Sequence, residues 1–434
     1  MQFISTRGER QPVGLGVALT RGLAPDGGLY VPQEWPATLP PALRVDESLA
    51  PLAAKFLAPF AAGDILAPAL PAIAAEAFDF PAPLRALDGH RLGVLELFHG
   101  PTAAFKDFGA RFLAAAMARL RQGATRPLQI LVATSGDTGG AVAAAFHGRS
   151  GIEVAVLYPL GLVSPTQQQQ LSCWGGNVRT FGVRGSFDDC QRLVKQAFLD
   201  AALRERRELS SANSINLGRL LPQTVYYVAT SLRLREQCGE PASFVIPSGN
   251  LGNATACVWA QRLGAPIAQI VLAHNANRTV PDYLADGVLR VRASVATLAS
   301  AMDVGNPSNL ERLSALYPGA ARLSTVVSAV SVDDEAIRAR IRADHERYGA
   351  IWCPHTATAA EAWARLSAAQ RGAGPWVLVA TAHPAKFREI VEPLVGQPVP
   401  VPESLQRLFR RPARFMEIES SLDALRTALA GPAP

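Results

Sequence analysis

Lysine is what this chain most lacks. Of its 42 basic residues only Lys55, Lys106, Lys195 and Lys386 are lysines, which leaves 42 − 4 = 38 arginines. Arginine therefore carries the surface charge, and a lysine kept in apolar surroundings points to a need for the amine itself. Cysteine is sparse too. Cys173, Cys190, Cys238, Cys257 and Cys353 are odd in number, widely spaced and without a C-x-x-C pair. That argues against a disulfide framework and a thiolate zinc site; buried thiols in a reducing compartment and no bound metal are expected. No stretch approaches about 18 uninterrupted apolar residues, and residues 1–7 show no charged region followed by an apolar run. The expectation is a cytoplasmic protein with no membrane partner. Despite 35 Gly and 33 Pro there is no low-complexity tract and no internal repeat.

A dense basic block is also missing. The net charge is +6 and the pI near 9.3, but acids interleave with arginines, as in residues 338–347. This describes a solvated surface that attracts anionic substrates better than a nucleic-acid partner.

What is present is ample apolar material: 49% hydrophobic residues over 434 positions, enough for two or three domains with sizeable cores. Residues 1–92 form a first region, with turn-rich 25–28 and 32–41 followed by alanine-rich pieces at 48–60 and 68–78 that fit short helices. Val13-Gly14-Leu15-Gly16 is a poor dinucleotide fingerprint, since no strand precedes it and the third glycine is missing. From Leu92 onward strands alternate with helices. Apolar runs at 128–133, 152–158, 178–183, 243–246, 267–273 and 376–380 are separated by helical stretches such as 187–202, which predicts parallel sheets covered on both faces. Residues 333–348 predict an amphipathic scaffold helix, with Ser331 before two aspartates at its start. Ligands of such sheets collect at the carboxyl ends of strands, where the distinctive loops lie.

Three of those loops carry chemistry. Phe98-His-Gly-Pro-Thr-Ala-Ala-Phe-Lys106-Asp-Phe-Gly sets one lysine between a Gly-Pro turn and a predicted helix over 110–120. Read alone, Lys106 fits either a snorkelling surface lysine paired with Asp107 or an amine reserved for Schiff-base chemistry, which arginine cannot perform. Pro247-Ser248-Gly-Asn-Leu-Gly-Asn253 runs from a strand into a predicted helix at 254–263. Its small residues and the helix amino end make a phosphate cup, in which Ser248, Asn250 and Asn253 supply side chains. With no lysine it departs from the pattern of nucleotide triphosphate loops. Thr134-Ser135-Gly-Asp137-Thr138-Gly is a second cup of the same construction, suited to a carboxylate. Two anion cups and one pocketed lysine outline an amino acid held on a phosphorylated aldehyde, as in a pyridoxal 5'-phosphate enzyme.

These motifs, with 211–220 (Ser-Ala-Asn-Ser-Ile-Asn-Leu-Gly-Arg-Leu) and 381–387 (Thr-Ala-His-Pro-Ala-Lys-Phe), resemble the threonine synthase family, of the longer bacterial and fungal type. The resemblance extends to Ile4-Ser-Thr-Arg-Gly8, 186–190, 301–304 and Pro354-His-Thr356, so it covers almost the whole chain in order. It implies an α/β fold of fold type II pyridoxal phosphate enzymes, tryptophan synthase β-like, with two parallel or mixed αβα domains and a mainly helical amino-terminal extension. The expected division is extension 1–92, a smaller domain 93–235 with the lysine and carboxylate loop, and a larger domain 236–434 with the phosphate loop. It further implies that Lys106 anchors the cofactor and acts as base, and that residues Gly249, Asn250, Leu251, Gly252 and Asn253 cradle the cofactor phosphate. Thr381 would meet the pyridine nitrogen and Asp137 the phenolic oxygen. Thr134, Ser135 and Thr138 would take the substrate carboxylate; Asn213, Ser214 and Arg219 would take the substrate phosphate.

The implied reaction converts O-phospho-L-homoserine and water to L-threonine and phosphate, by a monomer or homodimer. Departures from the family pattern are Ala103 for leucine and Leu251 for phenylalanine, both expected to alter packing only. Cys353 stands for an aspartate, which leaves His355 open between a structural and a catalytic role, and Gln167 to Gln170 stand where a charge is expected. Two alternatives remain: a phospho-lyase or dehydratase of the same fold that releases 2-oxobutyrate, and a colourless, non-catalytic nucleic-acid binder.

Overall fold

Strands and helices alternate as the apolar runs predict, in a computed structural model that describes residues 1–9, 11–40, 43, 48–89, 91–372 and 374–431. Pro41, the far end of one turn-rich stretch, lies outside the described residues. The strands, in chain order, are β1 (Phe3–Ser5), β2 (Tyr30–Pro32), β3 (Leu84–Asp88), β4 (Leu92–Glu96), β5 (Leu128–Ala133), β6 (Ile152–Pro159), β7 (Val178–Arg184), β8 (Glu208–Ser211), β9 (Ala242–Pro247), β10 (Ile267–His274), β11 (Ser328–Ser331), β12 (Trp376–Ala380) and β13 (Met416–Glu419). One sheet has the order β11-β10-β9-β12-β4-β3 and is parallel except for the β3–β4 hairpin; the second, β13-β7-β6-β5-β8, is wholly parallel. Strands β5, β9 and β12 are buried at every residue. Residues on both faces must then be apolar, which is why these strands read as unbroken runs rather than alternating ones.

The sheets are not contiguous in sequence. β4, at the start of the stretch 93–235, pairs with β12 in the larger sheet, and β13, near the carboxyl end, pairs with β7 in the smaller one. Boundaries at 92/93 and 235/236 therefore cut across both sheets. Hydrophobic patterning shows that a strand exists, while its sheet is chosen by long-range pairing.

The amino-terminal region is mainly helical, as expected, with helices Leu49–Ala61 and Leu70–Ala77, but β1 and β2 add a small antiparallel pair. It packs Phe78 and Phe80 onto Phe108, with ring centroids 5.6 and 4.4 Å apart. Such pairs contribute about 0.5–1.5 kcal/mol each beyond area burial, and here they brace the helix that begins at Lys106. The scaffold helix spans Asp334–Tyr348, and its cap is Asp333, whose Oδ1 accepts from Ala336 N at 2.9 Å. Ser331, the cap read from the sequence, is the last residue of β11 and donates its hydroxyl to Asn275 O at 2.8 Å. The Gly14–Gly16 pair opens a short helix, Leu15–Arg21, beside Asp64 rather than any ligand loop.

Candidate active site

Five loops converge where parallel strands end. They leave the carboxyl ends of β4, β5, β8, β9 and β12 and together line one cavity that holds Lys106, Ser135, Asp137, Arg219, Asn253 and Thr381. Three of them enter helices earlier than the starts at 110, 141 and 254 that the sequence predicts: Lys106–Leu120, Asp137–Phe146 and Gly252–Arg262. The residues expected to end the loops instead form first helical turns, whose unpaired N–H groups carry partial positive charge toward the cavity.

Lys106 is held against the Thr381 loop by backbone. Phe105 N donates to Thr381 O at 2.9 Å, Ala104 bridges Ala382, and His383 N donates to Ala103 O at 3.0 Å. The Lys106 side chain is 14% exposed, and its Nζ lies 3.7 Å from Asp137 Oδ2 and 5.1 Å from the Phe105 ring centre. The surface pairing with Asp107 is not formed. Asp107 is buried and accepts from Thr102 N at 2.8 Å and Thr102 Oγ1 at 2.6 Å. Gly100 is required for this, because a Cβ there would lie 2.5 Å from Asp107 Oδ2. Burial pushes the Lys106 amine below its ordinary range, opposed by Asp137 and assisted by Lys386 and Arg219. A lysine so placed is a better nucleophile and base than one in water.

Asp137 sits between two lysine side chains. Burial works against its charge, yet Lys386, Lys106 and His355 hold its carboxyl well below the usual carboxylate range. Lys386 Nζ lies 2.8 Å from Asp137 Oδ1 and Gln167 Nε2 donates to the same oxygen at 3.3 Å. Sequence reading gave neither residue a role. The rarity of lysine was the available signal for Lys386, and the neutral Gln167 occupies the stretch where a charge was expected. Gly136 makes room for it: φ is +135° there and a Cβ would meet Gln167 Nε2 at 2.4 Å.

The phosphate cup is open at its helix end. The Gly252–Arg262 helix has no side-chain cap, and Leu251 before it is left-handed at φ +61°. Asn253 Oδ1 accepts from Tyr226 and Tyr227 hydroxyls at 2.5 and 2.9 Å, which leaves its buried Nδ2 with no partner. An unpaired amide donor beside an uncapped helix start is the chemistry a phosphate satisfies, so the residues present fit pyridoxal phosphate. The other predicted members of the cup are engaged differently. Ser248 donates its hydroxyl to Ile246 O and its N–H to Ala273 O, both at 2.8 Å. The Asn250 side chain donates to Ser214 Oγ and accepts from Ser308 N, both at 2.5 Å. Gly249 permits a close approach, since a Cβ would lie 2.7 Å from Met302 Cα.

In the second cup Thr134 is structural in its contacts. Its hydroxyl donates to Gly136 O and accepts from Gly136 N and Gly139 N at 2.9–3.0 Å, so Ser135 and Thr138 are the hydroxyls left facing the cavity. Asn213 Nδ2 donates to Ala133 O at 2.9 Å, joining the carboxylate loop to the 213–219 loop. Arg219 is buried, bonds Ala212 O through Nη1 and has no partner for Nε; burial, opposed by the Asp107 carboxylate, pulls it down to about 10. Gly109 lets its helix touch this loop, for a Cβ would fall 2.4 Å from Arg219 O. Arg312, also absent from the sequence reading, is fully buried and donates to the carbonyls of Tyr30, Ser214 and Ile215 and to Asn309 Oδ1. It ties the amino-terminal strand pair to the loop of Ser214.

His355 Nε2 accepts from Ala301 N at 3.1 Å, and burial pushes its ring down to about 4, so it is neutral near pH 7. Cys353 takes the place of the expected aspartate as cap of the helix Pro354–Ala364, its sulfur accepting from Thr356 N at 3.4 Å. Ala103 and Leu251, expected to alter packing only, are also the non-glycine residues with positive φ among the described residues.

Comparison with known proteins matches three family models along the chain: threonine synthase N terminus over residues 2–78, pyridoxal-phosphate dependent enzyme over 78–382, and threonine synthase, C-terminal, over 356–429. The threonine synthase of Haemophilus influenzae is 39% identical, with 99% of each chain covered. The solved threonine synthase of Escherichia coli is 37% identical with a TM-score of 0.88 over 99% of each chain. The pyridoxal phosphate-bound threonine synthase structure from Brucella melitensis is 34% identical with a TM-score of 0.89, over 99% of this chain and 98% of that one.

Proposed function

This chain belongs to the threonine synthase family, and on that premise we propose that it converts O-phospho-L-homoserine and water to L-threonine and inorganic phosphate with pyridoxal 5'-phosphate anchored on Lys106. The observation that carries the reading is the buried Lys106 amine, set among three helix amino ends with an unpaired Asn253 amide in the same cavity. The bound cofactor supplies an electron sink for charge developing on the substrate carbons. Lys106, the Gly249–Asn253 backbone, Asn253 Nδ2, Thr381 and Asp137 are the residues that would hold it.

The remaining steps are the protein's own. Ser135, Thr138 and the open start of the Asp137–Phe146 helix receive the substrate carboxylate, with Thr134 shaping the loop. Lys106 Nζ, desolvated and relieved of its proton, removes the proton from the α-carbon and serves further transfers at the β-carbon. Phosphate leaves the γ-carbon into the site of Asn213, Ser214 and Arg219, and water adds at the β-carbon. Thr381 would meet the pyridine nitrogen with a neutral hydroxyl and so would leave it unprotonated, where an acid would hold a proton on it.

The same reading has the enzyme acting on a small molecule as a monomer or homodimer in the cytoplasm, without nucleic acid. Free cysteines support the reducing location; no helix among the described residues is long and apolar enough to cross a membrane. The test is to incubate the protein with O-phospho-L-homoserine and measure phosphate, threonine and 2-oxobutyrate together. Threonine and phosphate in equal amounts are expected; 2-oxobutyrate as main product would favour a phospho-lyase. The purified holoenzyme should be yellow and Lys106→Ala colourless; a wild type colourless after reconstitution overturns the proposal.

A further inference from the structure

One buried amine has no part in that scheme. Lys386 is wholly buried, with Nζ 2.8 Å from Asp137 Oδ1 and donating to Thr102 O at 3.0 Å. Thr102 is fixed in turn, because Asp107 takes its N–H and hydroxyl and Gln170 Nε2 donates to its carbonyl at 3.0 Å. The short helix Pro384–Phe387 carries Lys386, and His383 caps it by accepting Ala385 N. Asp137 thus has one oxygen taken by Lys386 and Gln167, and only the other, at 3.7 Å, faces Lys106.

The geometry matters because a carboxylate beside a lysine ordinarily keeps that lysine protonated, by about one to three pKa units at 4–6 Å. Asp137 alone would therefore oppose what Lys106 has to do. With Lys386 bound to it the pair is close to neutral, and what remains around Lys106 is burial, the neutral ring of His355 and the cationic Arg219. Asp107 is bonded to Thr102 and faces Lys386 and Arg219. The same contacts place burial first among the effects that lower the Lys106 amine, with Lys386 adding to them.

We propose that Lys386 is a positioning residue that holds Asp137 and cancels its charge, so that Lys106 reaches the cofactor and substrate as a neutral amine. The inference rests on the reading of Lys106 as the cofactor's anchor. In that anchoring step the Nζ lone pair bonds the aldehyde carbon and the carbonyl π pair moves to oxygen. That oxygen leaves as water with the two protons shed by nitrogen, and a C=N bond remains. Only the unprotonated amine can begin the step.

The rate at which the yellow band grows after mixing apoprotein with pyridoxal 5'-phosphate, followed between about pH 6 and 9, reports the fraction of neutral Lys106. Lys386→Met should move the midpoint of that profile up by about one unit or more, which is about tenfold slower capture at a pH below both midpoints. Asp137→Asn should move it down, and the double variant should return it toward wild type. A merely structural role would not be reversed by the second substitution. A Lys386→Met midpoint equal to wild type, or a double variant as slow as the single, overturns the proposal. Should Lys386→Met fail to fold, Asp137→Asn decides: a midpoint unchanged or raised overturns it, a lowered one supports it. A wild type that never colours would instead refute the anchoring role of Lys106, so the two failures are distinguishable.

Discussion

At the scale of single residues, two side chains separate this activity from its neighbours. Arg219 is buried with a free Nε, a guanidinium prepared for an anion and of no use to an enzyme whose substrate lacks phosphate. Arg219→Ala should lower kcat/KM for O-phospho-L-homoserine by about 100-fold, the loss of a charge-assisted contact worth about 3 kcal/mol. Steady-state phosphate release measures it, and a loss under tenfold would remove Arg219 from the substrate site. Thr381 stands at the end of β12, backbone-bonded to the Lys106 loop. Thr381→Asp should raise the share of 2-oxobutyrate relative to threonine by holding a proton on the pyridine nitrogen and deepening the electron sink. An unchanged product ratio counts against that role. The sequence motifs located both residues. They could not show that Thr134 is spent on its own loop, because a hydroxyl that braces and one that binds look alike in a list of letters.

At the scale of elements, helix starts do the organising. Three of them face the cavity without side-chain caps or with their first turns occupied by functional groups, while the scaffold helix Asp334–Tyr348, away from it, is fully capped by Asp333. A cap is worth about 1 kcal/mol. Asp333→Ala should cost about that in unfolding free energy with turnover unchanged; a loss of activity at constant stability would mean the helix is no mere scaffold. The helix Gly252–Arg262 gives up a cap and takes a left-handed Leu251, a conformation that disfavours L residues by roughly 1–2 kcal/mol. Such strain is tolerated where backbone N–H groups must face a ligand. The periodicity of alanine-rich runs predicted these helices, but their starts were placed two to four residues late, since loop glycines and polar residues look like turn even when they form a first turn.

At the scale of the whole molecule, neutral histidines are built into the fold. Burial pushes His355 and His383 down to about 4 and His274 to about 3. All are neutral in both folded and unfolded chains above about pH 6.5. As pH falls from there toward 4, the unfolded chain takes up protons that the folded chain refuses, so stability is present above the unfolded value and is lost on acidification. Once the folded value is reached the loss amounts to about 3 kcal/mol for the deeply buried His355 and about 5 kcal/mol for His274. Thermal midpoints recorded from pH 8 to about 4 should therefore fall steadily below about pH 6.5; a flat profile to pH 4.5 contradicts it.

The strands β5, β6, β7, β9, β10 and β12, the three candidate ligand loops and the lysine proposed for chemistry were determined by the sequence itself, because each is written in residues adjacent along the chain. Apolar runs, glycine turns and a scarce amine are local signals. Tertiary structure alone decided which sheet β4 and β13 join, that Lys386 reaches across from a distant turn to share Asp137 with Lys106, and that Arg312 ties Tyr30 to Ser214. Those contacts link residues far apart in the chain, and only the folded packing of buried charge, where each ion must find a partner, brings them together.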